Sequence, residues 1–251
     1  MHPIERLRLL ARCGDLDVDV LVPEATAALA DLAADPRAAV MAARNLVDAH
    51  PCCGPLWWAA AHVICAEDPH EAARLVIASL DSDPTVEELA ASLPAGATVV
   101  AEATPLVVGA LATRPDLDAR LVGDRSRLAS LLRELARGPE ATGWSFDEAV
   151  AALVGARVLV VEASAAGPVG FLGAGASLAA RAREAGVAVW AVAGVGRVLP
   201  AALFTVAAGR CRQDRFVAVG HLARVVGPSG AVRPVTAFAS AECPVTLELT
   251  R

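Results

Sequence analysis

The sequence predicts an α/β protein in which an N-terminal helical bundle is followed by a parallel sheet flanked by helices. Two observations predict it. Through the first 93 residues, apolar side chains recur at three- and four-residue spacing, the repeat of helices that bury one face. After Pro94-Ala95-Gly96, short runs of Val, Leu and Ala alternate with helical stretches. Strands that alternate with helices pair in parallel through crossovers. The expected division is a helical domain over 1–94 and a Rossmann-like α/β domain over 95–251.

In the first part the periodic segments are 3–13, 23–34, 36–50, 54–66, 69–81 and 84–92. Gly14, Pro23, Asp35-Pro36, Pro51, Asp68-Pro69, Asp83-Pro84 and Pro94 punctuate them. Proline suits a first helical turn, where its missing N–H had no partner to lose. In the second part Thr98-Val99-Val100-Ala101 reads as a strand, 105–113 as a helix, Ala119-Arg120-Leu121-Val122 as a strand and 125–137 as a helix. The stretch 138–147 carries little signal and leads into a short helix at 147–154. Arg157-Val158-Leu159-Val160-Val161 is the clearest strand. A Gly-rich turn, a helix at 176–185 and the strand Val187-Ala188-Val189-Trp190-Ala191-Val192 follow. The Val- and Pro-rich last fifty residues are expected to complete the sheet edge.

Composition narrows the function. A formal net charge of −6 argues against nucleic acid or an anionic membrane as partner. No run of 18 uninterrupted apolar residues occurs, so no membrane span is expected. Charge in Met1-His2-Pro3-Ile4-Glu5-Arg6, where a signal peptide is apolar, points to the cytoplasm. All 22 basic residues are Arg, which rules out a Schiff-base lysine and a P-loop lysine. The six cysteines form no CxxC pair, and their scatter does not suggest a secreted disulfide framework. His62 and Cys65, three apart on a helix, suit either a zinc ion or a core cysteine beside a histidine. The second is the simpler reading, so neither metal nor cofactor is expected.

Three stretches carry a resemblance: Phe146-Asp147-Glu148-Ala149-Val150, the run from Ala156 through Val161 to Gly170, and Ala185-Gly186-Val187-Ala188-Val189-Trp190. Ala43-Arg44-Asn45-Leu46-Val47 and His50-Pro51-Cys52-Cys53-Gly54-Pro55-Leu56-Trp57 add to it. Together they resemble the α, β and δ subunits of translation initiation factor 2B and the related sugar-phosphate isomerases, among them methylthioribose-1-phosphate and ribose-1,5-bisphosphate isomerases. The resemblance implies a phosphorylated small-molecule ligand and a homodimer formed through the α/β part.

The departures bear on chemistry. The isomerases of that family use a cysteine just after the first strand of the α/β part, whereas here Val99 to Pro105 holds none and no cysteine lies between Cys65 and Cys211. The family's Gly-Ala-Asp aspartate falls on Ser164, and its Asn-Lys pair on Gly173-Ala174. Aldose–ketose isomerisation needs an acid and a base, each contributing roughly 10²–10⁴-fold. The ordinary mechanism is therefore not expected.

Glu102 and Glu162 end successive apolar runs, where open parallel sheets place their ligands. They are either a converging acid/base pair or surface acids paired with arginine. Asp147 corresponds to an aspartate that the family sets beside its ligand; it suits a helix first turn equally well. Gly170 to Ser177 leads into a helix, so Gly173, Gly175 and Ser177 are candidates for anion binding, or only a turn. Ser177 matches a family threonine. Thr104, Arg125, Arg127, Ser164 and Gly194, the last in the crevice turn Gly194-Val195-Gly196-Arg197, complete the candidate ligand set, Arg offering a bidentate fork for phosphate. Trp57, Trp58 and Trp190 read as packing groups. The expected function is a non-catalytic, regulatory binder of a phosphorylated sugar or nucleotide. The alternative is a sugar-phosphate aldose–ketose isomerase with a rearranged carboxylate site in which Glu102, Glu162 or Asp147 is catalytic.

Overall fold

The computed structural model describes residues 2–14, 16–135, 138–238 and 243–250. Six helices come first: α1 (Pro3–Arg12), α2 (Val18–Leu32), α3 (Pro36–Ala49), α4 (Gly54–Cys65), α5 (Pro69–Asp81) and α6 (Thr85–Ser92). Asp-Pro pairs start two of them as expected. Asp35 accepts from the amides of Arg37 and Ala38, and Asp68 from those of His70 and Glu71, while the following proline opens the helix. Pro23 does not start α2 but lies inside it. Leu21, Val22, Ala25, Ala28 and Leu29 are all buried, and that continuous stripe carries the helix through the proline.

The α/β part contains β1 (Thr98–Glu102), α7 (Pro105–Ala112), β2 (Asp118–Val122), α8 (Arg125–Glu134), β3 (Glu140–Trp144), α9 (Ala149–Ala152) and β4 (Val158–Glu162). It continues with β5 (Ala165–Gly167), β6 (Gly170–Leu172), α10 (Ala176–Glu184), β7 (Ala188–Val192) and α11 (Ala201–Arg210). The chain closes with β8 (Phe216–Ala218), β9 (Arg224–Gly227), β10 (Gly230–Val232) and α12 (Pro234–Ala237). Seven strands form the main sheet in the order β10-β9-β7-β4-β1-β2-β3. All neighbours pair in parallel except β10 with β9. The chain builds from β1 outward through β2 to β3, then returns to lay β4 on the other side of β1. The direction of winding therefore reverses between β1 and β4, the place where such sheets open a crevice.

Alternation along the strands separates two cores. Val158, Val160 and Val192 pack with α6, α7 and α8, whereas Leu159, Val161 and Ala191 pack with α9, α10 and α12. A third core joins α1–α5 to α11, through Leu203, Phe204 and Ala207.

Three features differ from the sequence reading. Residues 140–144 form a strand rather than an unmarked connection. They pair with β2 along one side only and stay largely open to solvent, so no apolar run betrays them. The last fifty residues do supply the edge strands β9 and β10, but they also hold the ten-residue helix α11. Finally, β5, β6 and β8 make a separate antiparallel sheet of three-residue strands, so the Gly-rich stretch after β4 is a hairpin before it is a turn. Cys52 and Cys211, 159 residues apart, are joined as a disulfide.

Two polar clamps fix the frame. Asp83, ahead of α6, accepts from the Thr85 amide (2.9 Å) and hydroxyl (2.5 Å) and, across 112 residues, from the Val195 amide (2.8 Å) beyond β7. A Cβ on Gly194 would come within 2.3 Å of the same carboxylate, so only glycine lets the two approach. At the opposite end of the sheet, Arg114 and the Gly96 amide grip Asp116. The Arg114 guanidinium, helped by that amide, holds the Asp116 carboxyl below the usual carboxylate range.

Both clamps yield measurable expectations. Asp83→Ala and Gly194→Ala should each lower unfolding free energy by about 1–3 kcal/mol, the cost of stranding buried donors. The double variant should lose no more than Asp83→Ala alone, because the alanine methyl then meets no carboxylate. Additive losses in urea unfolding would show that the two residues act separately. A depressed folded pKa makes Asp116 stabilising above its unfolded value of about 3.9 and progressively less so as pH falls below it. Asp116→Asn should therefore flatten the acid limb of a melting-temperature profile and leave its neutral-to-alkaline limb parallel to wild type.

Candidate functional site

Glu102 closes β1 and Glu162 closes β4, and register places them on adjacent strands at the winding reversal. The two residues meet. Glu102 Oε2 accepts the Glu162 amide N–H at 3.0 Å. Glu102 is only 6% exposed, and Gly175, the residue before α10, packs so closely that a Cβ there would lie 2.7 Å from that oxygen. A carboxylate at the head of α10 is favoured by the helix dipole. The chain itself therefore supplies an anion to the end of the Gly-rich turn.

Glu162 has a different partner. Its Oε1 forms an ion pair with Arg197 Nη2, and both side chains are 13% exposed. Arg197 Nη1 also donates to the Ala163 carbonyl at 2.8 Å, while the Arg197 carbonyl accepts from the Ala166 amide at 2.7 Å. The loop after β7 is thus fastened to the turn after β4. Glu162 Oε2 is buried and has no hydrogen-bond partner among the described residues. A buried acceptor left unmet costs about 1–3 kcal/mol, so the position is unusual for a purely structural group. The pair is neutral as a unit, and one acceptor is left over.

The helical part packs directly against these two loops. The Gly54 amide donates to the Ser164 carbonyl at 2.8 Å, and a Cβ on Gly54 would lie 3.1 Å from Arg197 Cα. Gly196, at φ +73°, takes a left-handed conformation and lets Trp58 and Pro55 pack onto the loop. Cys53, preceding Gly54, feels the Arg197 charge. Burial pushes its thiol pKa up, partly offset by the Leu56 amide and by Arg197.

Of the candidates named from sequence, Glu102, Glu162, Gly173 and Gly175 come together. Gly173 packs on the Glu162 carbonyl, and its amide is already used by the Arg215 carbonyl (2.9 Å). Ser164 borders the group through its backbone, and Gly194 flanks Arg197. Thr104 caps α7, its hydroxyl accepting from the Val107 amide, while its own amide donates to the Glu102 carbonyl (2.9 Å). Arg125, Asp147 and Ser177 lie exposed. Asp147 stands beyond β3, two strands from β1. Arg125 acts on Glu148, whose pKa is held down chiefly by the Ser145 hydroxyl and amide. The Arg127 side chain lies outside the described residues. His62 sits edge-on to Trp58, ring centroids 4.8 Å apart, and Cys65 is exposed. Among the described residues no group of three or more His, Cys, Asp and Glu is placed to hold a metal, and no helix is long and apolar enough to cross a membrane.

The sequence points to Gly194-Val195-Gly196-Arg197 as a crevice turn but not to the role of Arg197, and it gives no sign of Asp83, Cys53 and Gly54 as parts of this region. A guanidinium closing Gly194-Val195-Gly196-Arg197 directly after an apolar strand was a signal for the first. The others come from the helical part, and nothing local marks their contact with the sheet.

No protein-family model matches the chain, and no curated protein matches it. Solved structures do. The beta subunit of eIF2B from Chaetomium thermophilum superposes with a TM-score of 0.74 at 13% identity, covering 99% of this chain and 94% of that one. Translation initiation factor eIF-2B from Pyrococcus horikoshii OT3 gives 0.73 at 15% identity, over 94% and 98%. The 5-methylthioribose 1-phosphate isomerase of the same organism gives 0.58 at 16% identity, over 93% and 85%. At such identities the likeness is one of fold. The chain has the fold shared by eIF2B subunits and methylthioribose-1-phosphate isomerase.

Proposed function

We propose that this protein is a non-catalytic, regulatory binder of a phosphorylated sugar or nucleotide, working as a homodimer associated through its α/β part. One observation carries the reading. The two carboxylates at the winding reversal are engaged by the chain itself, Glu102 on a backbone amide and Glu162 on Arg197, while Glu162 Oε2 stays buried and unmet. A base that must collect and return protons needs a free oxygen facing its substrate. Glu102 lacks that freedom, and Glu162 is committed to Arg197 through Oε1, with its other oxygen buried rather than open to solvent. An unmet acceptor beside a neutral ion pair suits a hydroxyl of a sugar or ribose, which donates one hydrogen bond and brings no charge.

The Glu102 carboxylate already occupies the space beside Gly175 at the head of α10. We assign the ligand's phosphate instead to Arg125, exposed at the start of α8 after the neighbouring strand β2, together with Arg127, whose side chain lies outside the described residues. This assignment uses the bidentate fork of arginine. Dimerisation is supported by analogy alone: a fold neighbour from C. thermophilum is a tetrameric eIF2B-beta2-delta2 complex.

A thermal-shift panel of pentose phosphates, hexose phosphates and nucleotides tests the reading. A ligand at a hundredfold excess over its Kd should add about 2.7 kcal/mol of stability. Glu162→Gln should weaken binding on the order of tenfold, about 1.4 kcal/mol, without any turnover in the wild type. Interconversion of an aldose and a ketose phosphate that vanishes in Glu162→Gln would establish the isomerase alternative instead.

A further inference from the structure

The turn at residues 50–54 is tied to the far end of the chain by the Cys52–Cys211 disulfide. Cys211 is the residue at which α11 ends. On one side of Cys52 the chain leaves α3; on the other, Gly54 is pressed against Ser164 and the Arg197 backbone. Within two residues, therefore, one turn both carries a reducible bond and touches the two loops that hold Glu162 and Arg197. Other contacts in the same place do not depend on the disulfide. Arg210 pairs with Asp48 at 2.5 Å and lies over the Trp57 ring at 5.6 Å, and Trp57 Nε1 donates to the Pro51 carbonyl at 3.0 Å. Breaking the bond thus leaves α11 docked on α3 and α4 and removes the covalent cross-link on the turn, which then rests on its hydrogen bonds to Trp57 and Ser164.

We propose that the Cys52–Cys211 disulfide is a redox latch on the ligand crevice, holding the turn at Gly54 against Ser164 and Arg197 when oxidised and loosening it when a dithiol reductant opens the bond. The chemistry balances. One thiolate of the dithiol attacks the sulfur of Cys52, the more exposed partner, since Cys211 is 7% exposed. The Cys211 sulfur leaves and takes a proton. The second thiol then displaces Cys52 and closes the reductant's own disulfide, so two electrons and two protons pass to the protein. The raised pKa of the neighbouring Cys53 thiol lowers its share of the nucleophilic thiolate and so disfavours exchange with the latch. Release matters because Arg197 is held by its backbone to the very loop the turn supports, so loosening the turn lets the Glu162–Arg197 pair shift.

The consequence for ligand affinity rests on the crevice reading above; the latch itself does not, and the experiment needs no ligand. Protein purified without reductant is alkylated and mapped, then compared by amide hydrogen exchange in three forms: oxidised, treated with dithiothreitol, and Cys211→Ser. A linked peptide joining Cys52 to Cys211 is expected. Exchange at residues 53–57 and 163–166 should rise at least tenfold on reduction and in Cys211→Ser, which should be indifferent to dithiothreitol, with β1–β3 unchanged in all forms. Alkylation of both cysteines before reduction overturns the proposal. So does an increase spread evenly over the chain, which marks a disulfide that stabilises the fold as a whole, or no increase at all. A sugar-phosphate panel without a binder would sink the function proposed above and leave this result standing.

Discussion

A backbone amide at the end of one strand is held by the carboxylate at the end of the next, and much of the crevice follows from that bond. Glu102 reaches across the winding reversal to the Glu162 N–H, which orients the last residue of β4. With its amide fixed, Glu162 turns its side chain toward Arg197, and Arg197 in turn binds the turn after β4 through its guanidinium and its backbone. A largely desolvated ion pair of this kind contributes little net stability, but losing one partner strands the other at a cost of about 3–5 kcal/mol. The arrangement is thus self-enforcing. Each member keeps the others in place, and one oxygen is left over.

The helical part completes this network rather than merely adjoining it. Asp83 takes the Val195 amide, Gly54 takes the Ser164 carbonyl, and Trp58 packs on Gly196. Three glycines make these contacts possible, since a methyl group at 54, 194 or 196 would meet backbone, carboxylate or indole at 3.2 Å or less. Helices drawn from the first third of the sequence therefore set the position of an arginine drawn from its last quarter.

How much of this was legible in the sequence depends on the length of each signal. β4 and β7 are buried on both faces, so they appear as unbroken apolar runs, and their order with the helices implies a parallel sheet. Strand-end positions for Glu102 and Glu162 follow directly. β3 was missed because Glu140-Ala141-Thr142-Gly143-Trp144 faces solvent along an edge, where no burial selects apolar residues. β5, β6 and β8 are too short to show a period. α11 carried a readable stripe, Leu203, Phe204 and Ala207, but it was overlooked within the Val- and Pro-rich tail. Pairing of Glu162 with Arg197 and the disulfide between Cys52 and Cys211 are tertiary facts, set by how loops meet. No local pattern encodes them.

In the proposed function Glu162 keeps Oε1 on Arg197 and turns Oε2 to a ligand, with Glu102 bound to the backbone beside it. A crystal structure soaked with a ribose phosphate tests it most directly. The account predicts a ligand hydroxyl within hydrogen-bond distance of Glu162 Oε2, both internal contacts intact, and the phosphate away from the head of α10. A phosphate seated at Gly175 with the Glu102 carboxylate displaced, or a crevice in which Glu162 and Arg197 have parted, would contradict it.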